Sequence, residues 1–333
     1  MKGFILASII LVLFSILIPV FLIHEKRTLP EKVEVFIEKG RTCSYVLNEL
    51  QKNNLIKHRF ILYLFLKISG KSRNLKAGEY EFKDEISDVE VLKKILKGEV
   101  KKYAITIPEG SNIYQIAKIV GNVCPHEDFL SRAMSSDIAR KYGINSSSLE
   151  GFLFPDTYFF EKSENCERVV DTMVKKFFKE WNPDFEKRVI ELGMSMEEAI
   201  ILASIIEKET KVKEEAPLIS AVFHNRIKKN MFLQADPTVI YGLLPDFDGN
   251  LKKEHLNTPG PYNTYKRKGL PPTPICSPGR NAIYSALYPA DVPYLYFVSK
   301  NDGTHVFTTS LKEHNYYVEI YQKRNYKPPP IKK

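Results

Sequence analysis

The sequence has little of what marks a metal protein, a nucleotide-binding enzyme or a disulfide-rich domain. Its four cysteines are far apart, and no two of them form a C-x-x-C pair. That spacing argues against a metal site and a disulfide-dense scaffold, although it leaves the redox compartment open. The chain also has no Gly-rich phosphate loop, zinc pattern or G-x-S-x-G elbow. We therefore expect neither a metal nor a cofactor, and we expect no nucleic-acid partner.

Composition is otherwise that of a globular protein. Hydrophobic residues make up 44% of the chain and charged residues 27%, which are ordinary values. The net charge of +9 fits a surface that faces anionic lipid or an acidic polymer, and it fits a basic soluble protein equally well.

One long apolar segment lies at the amino terminus. Phe4–Ile23 carries no charge over 20 residues, and a helix of that length spans a bilayer at about 1.5 Å per residue. A cleavable signal peptide is the alternative, but the run is long and no A-x-A-like site follows it. We predict a retained transmembrane helix between a tail at 1–3 and a polar linker at 24–32. The flanking charges nearly balance, so composition alone leaves the orientation open.

A pattern of strand, glycine and helix occurs twice, at a spacing of seventy residues. The segments are 34–40, 43–50 and 59–67 in the first copy, and 104–110, 113–120 and 128–134 in the second. We predict two small α/β modules, at 33–100 and 101–148. Between the copies, Ser87 and Glu90 form a capping box that predicts a helix ending before Gly98.

A larger domain is predicted at 149–326, followed by a frayed tail at 327–333. Its helices are expected at about 167–181, 196–210 and 217–229, with a short helix opened by Asp236 as N-cap and Pro237. Two strands joined by Asn301-Asp302-Gly303 form a hairpin, and Ser310 caps the last helix. The predicted fold class is α+β, with small α/β modules preceding a larger mixed domain.

The segment 195–210 is the most informative. Ser195 and Glu198 form a capping box, which predicts that a helix starts at about Met196. Residues 199–206 are all apolar or small, so this helix should be buried on most of its circumference. A polar side chain that follows this run lies at the border between core and solvent.

Glu207 follows the run directly. Its i−3 and i−4 neighbours, Ser204 and Ala203, leave space beside the carboxyl. Loss of solvation there should raise the pKa of Glu207, and a carboxyl with a raised pKa can act as general acid and then as base. The alternative is a solvated helix end in which Glu207 pairs with Lys211. Glu209, two residues further on, should point to another face of the helix.

Seven short segments resemble the motifs of one family. They are EGFLFPDTY at 150–158, LASIIEKET at 202–210, LQADPTV at 233–239, PYNTY at 261–265, GLPP at 269–272, YLYFV at 294–298 and EHN at 313–315. In this order they resemble the endolytic murein transglycosylases (MltG, YceG-like), and the resemblance covers the whole chain. One departure is Ala235, where the family pattern has Ser, and it puts only a minor contact in doubt.

The resemblance implies a location, a domain type and a catalytic role. It implies a single-pass anchor in the cell (inner) membrane, with the enzyme outside the cytoplasm in the periplasm. It also implies that the module at 33–100 is LysM-like, that 149–326 is catalytic, and that the catalytic glutamate is Glu207. The expected partners are peptidoglycan glycan strands, the membrane and wall-synthesis enzymes.

The chemistry implied by the resemblance needs one carboxyl where most glycosidases need two. Glu207 would protonate the glycosidic oxygen between MurNAc and GlcNAc. It would then accept the proton of the muramic 6-hydroxyl, which attacks its own anomeric carbon and leaves a 1,6-anhydro end. Asp236, Asp156 and Glu150 are possible second carboxylates, although an N-cap role is favoured for Asp236 and a turn role for Asp156.

A Pro- and Gly-rich segment at 257–280 supplies candidate substrate contacts. A long segment without regular structure inside a compact domain is typically functional or disordered, and the aromatic residues in this one favour function. The predicted sugar-binding residues are Gln234, Asp236, Tyr262, Asn263, Thr264 and Tyr265. Tyrosine suits carbohydrate because it combines an apolar face with a polar tip, although packing on the core is an equal alternative. His224 is interpreted as structural. Arg226 is interpreted as part of a solvated helix face, with contact to peptide or lactyl carboxylates as the alternative.

Two other functions stay open at this point. A wall-binding scaffold could hold glycan through the N-terminal modules without cleaving it. A two-carboxylate hydrolase would leave a reducing end in place of an anhydro end.

Overall fold

The computed structural model describes residues 17–323, of which 17–24 are helical. The predicted transmembrane segment Phe4–Ile23 therefore lies mostly outside the described residues, as does the tail at 327–333. Among residues 17–323, no helix has both the length and the apolar character needed to cross a bilayer.

The chain forms two compact units. Unit 1 contains the described part of Met1–Tyr103 together with Phe159–Ser163, and unit 2 contains Ala104–Tyr158 together with the described part of Glu164–Lys333. The division falls close to the predicted start of the second module at 101, and that module shares unit 2 with the predicted catalytic domain. Helices and short two-stranded sheets occur in both units, which confirms the α+β class.

Besides the helical residues 17–24, the described part of unit 1 contains antiparallel strand pairs and three helices. Strand β1 (Arg27–Thr28) pairs with β4 (Glu85–Ile86), and β2 (Val33–Ile37) pairs with β3 (Gly78–Phe82). The helices are α1 (Cys43–Lys52), α2 (Arg59–Ile68) and α3 (Asp88–Lys97). The capping box of Ser87 and Glu90 is formed, and Gly98 ends α3 in the left-handed conformation, as predicted.

The amino-terminal end of unit 1 is built into its core. Ile23 and Leu29 belong to the same buried cluster as the strands and helices of the unit. Arg27, inside the segment predicted as a linker, forms a 2.7 Å ion pair with Asp88, which is 1% exposed. The backbone nitrogens of Lys57 and His58 also donate to this carboxylate.

Unit 2 begins with the second copy of the repeat. Strand β5 (Lys102–Thr106) pairs with β6 (Thr157–Glu161), and the sequence of each strand includes residues of both units. The helices that follow are α4 (Ile113–Val120), α5 (His126–Ala133), α6 (Ser136–Lys141), α7 (Cys166–Glu180), α8 (Pro183–Leu192), α9 (Met196–Glu209), α10 (Ala216–Lys228), α11 (Asp236–Gly242), α12 (Lys253–Asn257), α13 (Arg280–Leu287) and α14 (Leu311–Val318). A 3₁₀ turn at Lys213–Glu215 precedes α10, and a π-helical turn at Glu319–Lys323 follows α14. The predicted hairpin is formed by β7 (Tyr296–Ser299) and β8 (His305–Thr308).

Helix α9 is the centre of unit 2. Ser195 is its N-cap and forms the predicted capping box with Glu198. Residues 199–206 are all buried, which confirms that the helix is enclosed on most of its circumference. It packs against α8, α10, α11 and α13. A disulfide joins Cys124 to Cys166 within the same unit.

Candidate active site

The last turn of α9 presents two carboxyl groups to different surroundings. Glu207 Oε2 accepts a hydrogen bond of 3.0 Å from the backbone nitrogen of Gly279, the residue before α13. On the same side, Gly110 lies against Glu207 and Lys208, and Lys208 Nζ donates to the Gly110 carbonyl. Two glycine loops therefore approach Glu207, and its side chain stays partly exposed.

The pKa of Glu207 is raised, as the sequence predicts. Burial is the largest cause, and the negative charge of Glu109 adds to it. The Gly279 hydrogen bond and the cations Lys213 and Lys208 act in the opposite direction. Among the described residues, Glu207 forms no ion pair with Lys211, so the alternative of a paired helix end is not observed.

Glu209 lines an open cavity on the other side of the helix. The cavity measures about 490 Å³ and is bounded by α10, the segment before α11, the β7–β8 hairpin and α14. Within the described chain the Glu209 carboxyl makes no hydrogen bond or ion pair. Both side chains are partly exposed. They differ in their surroundings, because Glu207 Oε2 accepts a backbone hydrogen bond and Glu209 lines the cavity.

The pKa of Glu209 is raised to about 7. Burial is the main cause, the negative charge of Asp236 adds to it, and the Arg226 cation opposes both. A carboxyl with a pKa near neutrality holds its proton at physiological pH for a large fraction of the time, so it can donate that proton to a bound substrate.

Three of the predicted substrate-binding residues share this cavity with Glu209. They are Gln234, Asp236 and Tyr265. The Tyr265 hydroxyl donates to Asp236 Oδ1 over 2.6 Å. The prediction that Asp236 is the N-cap of α11 is wrong: Ala235 occupies the N-cap position, and Asp236 is the first helical residue. Its carboxylate is therefore available to Tyr265 and to the cavity.

The other three predicted residues do not line this cavity. The Tyr262 hydroxyl lies 2.7 Å from Thr273 Oγ1, and its ring packs on Tyr241. The buried Asn263 amide donates to three backbone carbonyls, and the buried Thr264 hydroxyl accepts from the Ala235 nitrogen. These side chains hold the loop in shape, which in turn places Tyr265.

Of the residues that line the cavity, the sequence analysis misinterpreted Arg226 and did not single out His305. Arg226 is 7% exposed and donates to the carbonyls of Leu233 and Leu295, so its interpretation as part of a solvated face is wrong. His305 Nδ1 lies 2.7 Å from the Glu215 carboxylate, which also accepts from the His305 backbone nitrogen. Because the carboxylate fixes Nδ1 as a donor, the tautomer of His305 is set.

His314 and His224 occupy contrasting positions. His314 lines the cavity, its ring stacks on Tyr296, and burial lowers its pKa. His224 Nε2 lies 2.8 Å from the Ala286 carbonyl, away from the cavity. This contact supports the structural interpretation of His224.

The alternative second carboxylates are not equivalent. Glu150 is fully buried, accepts from the Ile113 nitrogen and the Tyr241 hydroxyl, and has its pKa raised to about 7 by burial. Asp156 pairs with Lys176 at 2.9 Å, which lowers the pKa of Asp156. Of the three candidates, only Asp236 lies at the cavity of Glu209.

Comparison with known proteins places the chain among close relatives. A profile described as the YceG-like family matches residues 35–320. An endolytic murein transglycosylase of Bacillus subtilis (strain 168) is 32% identical over 312 residues, which cover 87% of this chain and 84% of the relative. An endolytic murein transglycosylase of Streptococcus pneumoniae (strain D39) is 28% identical, and the alignment covers 85% of this chain but only 57% of that longer relative. A crystal structure of a yceG-like protein from Listeria monocytogenes matches with a TM-score of 0.59 and 30% identity, over 86% of this chain and 99% of the other.

Proposed function

The chain belongs to the YceG-like family, and we propose that it is an endolytic lytic transglycosylase that cleaves peptidoglycan glycan strands between MurNAc and GlcNAc. The observation that carries this proposal is the cavity of about 490 Å³ in which a carboxyl with a pKa of about 7 meets tyrosine, amide and carboxylate side chains. Sugars are bound by such polar groups beside aromatic faces. The names of the relatives supply the substrate class.

We assign the acid and base role to Glu209. Its carboxyl faces the cavity, where a glycosidic oxygen can approach it, and it has no competing hydrogen bond among the described residues. Glu207, on which the family resemblance places the role, remains the alternative. Its Oε2 is engaged by Gly279, and loops from two directions approach it. A general acid must come within hydrogen-bond reach of the oxygen that it protonates, and this requirement favours Glu209.

The reaction requires one proton donor and one internal nucleophile. Glu209, protonated, donates its proton to the glycosidic oxygen as the bond to the MurNAc anomeric carbon breaks. The resulting carboxylate then accepts the proton of the MurNAc 6-hydroxyl, whose oxygen bonds to the anomeric carbon. The products are a 1,6-anhydro-MurNAc end and a free 4-hydroxyl on GlcNAc, and Glu209 regains its proton.

The neighbouring groups position the sugar and set the charge of the acid. Asp236 raises the pKa of Glu209, and its hydrogen bond with Tyr265 fixes both side chains at the rim. Gln234 is exposed and has a backbone φ of 52°, so it projects from a constrained turn toward the cavity. We propose that these three residues bind the sugars, and that Tyr262, Asn263 and Thr264 support them from behind.

We also propose that the enzyme is held at the cell (inner) membrane by Phe4–Ile23, with its catalytic part outside the cytoplasm. The apolar length of that segment supports an anchor. The disulfide between Cys124 and Cys166 supports an oxidising compartment, because such bonds are rare in the cytosol. An enzyme held there meets nascent strands beside wall-synthesis enzymes, and the LysM-like module in unit 1 would contact glycan.

A second chemistry is supported by one observation. Asp236 lies at the same cavity as Glu209, and two carboxylates at one sugar-binding site are the equipment of a hydrolase. A hydrolase would add water and release a reducing MurNAc end. A scaffold without activity would release nothing.

The test is mass spectrometry of the fragments released from purified glycan strands by the full-length protein in detergent. Anhydro-MurNAc ends are expected, and fragments lighter by one water than the hydrolysis products identify them. Reducing ends alone would overturn the transglycosylase assignment in favour of the hydrolase. Absence of any fragments from a folded protein would favour the scaffold.

A further inference from the structure

Helix α2 of unit 1 has two apolar faces, and among residues 17–323 only one of them is covered. Leu62 and Leu66 are fully buried in the core. The opposite side carries four large apolar side chains that are 42–87% exposed, namely Phe60, Leu64, Phe65 and Ile68. We call these four residues the α2 face. Phe60, Leu64 and Ile68 are four residues apart, so they form one continuous stripe along the helix.

Such a cluster is unusual on a protein surface in contact with water. Single exposed apolar side chains are common, but a contiguous group marks an interaction surface. The α2 face contains only phenylalanine, leucine and isoleucine, with no hydrogen-bonding group. A glycan-binding face would carry polar tips beside its aromatic rings. The chemistry therefore favours a hydrocarbon partner over a sugar.

The charge around the α2 face has one sign. From Leu50 to Gly78 the chain contains no Asp or Glu, and it contains seven cations: Lys52, Lys57, Arg59, Lys67, Lys71, Arg73 and Lys76. All of them except Arg59 are exposed. Anionic lipid headgroups attract such a set, whereas a second copy of the same surface would be repelled by it.

The position of unit 1 along the chain points to the same partner. Ile23 is the last residue of the predicted bilayer segment, and it is buried in the same core as Leu62 and Leu66. A bilayer segment that ends inside the core of a domain leaves no free linker. With Phe4–Ile23 in the bilayer, as proposed above, unit 1 begins at the headgroup layer and within reach of the acyl chains.

We propose that the α2 face is a membrane-docking surface that inserts into the outer leaflet of an anionic bilayer, with the surrounding lysines and arginines at the headgroups. Helices with an apolar face and a basic border lie in the bilayer interface in this way. The proposal rests on the membrane anchor proposed above and adds a second contact to it. Docking would restrict the rotation of unit 1 about the anchor.

The experiment uses the full chain reconstituted into vesicles of phosphatidylglycerol and phosphatidylcholine, with or without bromine on the acyl chains. Phe60→Trp reports from the α2 face, and Ile190→Trp is the matched control. Ile190 is 72% exposed and stands on α8 of unit 2. The sequence contains one native tryptophan, Trp181 in unit 2, and the unsubstituted chain gives its background.

We expect bromolipid to quench most of the emission added by Phe60→Trp, and to leave that of Ile190→Trp unchanged. Vesicle-bound protein with no quenching at Phe60→Trp would overturn the docking surface while leaving the anchor intact. Protein that does not bind vesicles at all would overturn both the docking surface and the anchor.

Two further outcomes would assign the α2 face to another partner and overturn the proposal. The tryptophan emission of Phe60→Trp could shift to the blue without being quenched by bromolipid. If that shift disappeared when the protein was diluted in excess lipid, the partner would be a second copy of the chain. A shift that appears only on addition of glycan strands would identify a sugar-binding face. The activity of Phe60→Trp in detergent reports on the proposed catalytic function separately.

Discussion

The two sides of the last turn of α9 differ in what lies against them. On one side, Glu207 meets the backbone of Gly279 and Gly110, and one turn earlier the Ser204 hydroxyl accepts from the Ile275 nitrogen. On the other side, Glu209 faces a polar cavity. Both carboxyls have a raised pKa, chiefly because of burial.

The difference shows that a raised pKa does not by itself identify a catalytic carboxyl. Burial against packed loops and burial beside a substrate cavity move the pKa in the same direction. The surroundings distinguish the two carboxyls, because Glu207 accepts a backbone hydrogen bond and Glu209 lines the cavity. We therefore expect substitutions on the Glu209 side to reduce activity with little change in stability, and substitutions on the Glu207 side to do the reverse.

The largest effect is expected at Glu209. Glu209→Gln retains size but removes the proton donor, so strand cleavage should slow by about 10²–10⁴-fold. Its melting temperature should stay close to that of the parent, because the carboxyl forms no hydrogen bond within the described chain. Glu207→Gln is the control and should lose less activity, since an amide oxygen can still accept from Gly279. A larger loss for Glu207→Gln would return the acid role to Glu207.

Among substitutions on the Glu207 side of α9, Gly151→Ala should lower the stability of the fold most. Its φ is +86°, and an added Cβ would lie 2.5 Å from Pro274 and 2.9 Å from Ile200 Cγ2 of α9. Gly151→Ala should lower the free energy of unfolding by about 3 kcal/mol or more, from overpacking plus backbone strain. Gly143→Ala separates the two causes, because Gly143 has a φ of +78° but open space around it. If denaturant unfolding gave the same loss of unfolding free energy for Gly151→Ala and Gly143→Ala, packing against α9 would contribute nothing.

Ser204→Ala should have a smaller effect on the same side. It leaves the buried Ile275 nitrogen without its acceptor, which costs about 1–3 kcal/mol of unfolding free energy. Ser220→Ala is the control, because the buried Ser220 hydroxyl has no partner among the described residues. If thermal unfolding gave equal losses for the two variants, the hydrogen bond would not be the link between α9 and the 275 loop.

The smallest effect is a shift in pH dependence. Glu209 acts as an acid while protonated, so activity should fall as pH rises through its pKa of about 7. The charge of Asp236 raises that pKa, and Asp236→Asn should therefore move the alkaline limb to lower pH, by less than about one unit. Glu109 raises the pKa of Glu207 instead, so Glu109→Gln should leave the limb in place. If Glu109→Gln moved the alkaline limb and Asp236→Asn did not, the group that titrates in the reaction would be Glu207.

Features that depend on residues close together in the chain, such as helix starts, could be predicted from the sequence. The helix starts after Ser87, Ser195 and Ser310 were all predicted, because a capping side chain and the nitrogen that it binds lie within one turn. The raised pKa of Glu207 was predicted for the same reason, since the apolar run before it ensures burial.

What the sequence could not show is which side of α9 stays open. Gly279 donates to Glu207 from 72 residues further along the chain, and the β7–β8 hairpin borders the cavity of Glu209 from a still greater separation. Asp236 was misassigned because Asp before Pro is typical of an N-cap, whereas Tyr265 holds it from another loop. Arg226 was misassigned because its carbonyl partners lie in later segments.

Unit 1 is not continuous in sequence, since Phe159–Ser163 belongs to it although 55 residues of unit 2, Ala104–Tyr158, come first. A chain that emerges from its amino terminus therefore cannot complete unit 1 when residue 103 appears. It must wait for residue 163, and by then Cys124 is already present while Cys166 is about to follow. Completion of the first unit and closure of the disulfide in the second thus become possible within a few residues of each other. Part of unit 2 thus exists before unit 1 can be completed, and removal of residues 33–100 would leave Phe159–Ser163 without the unit to which it belongs.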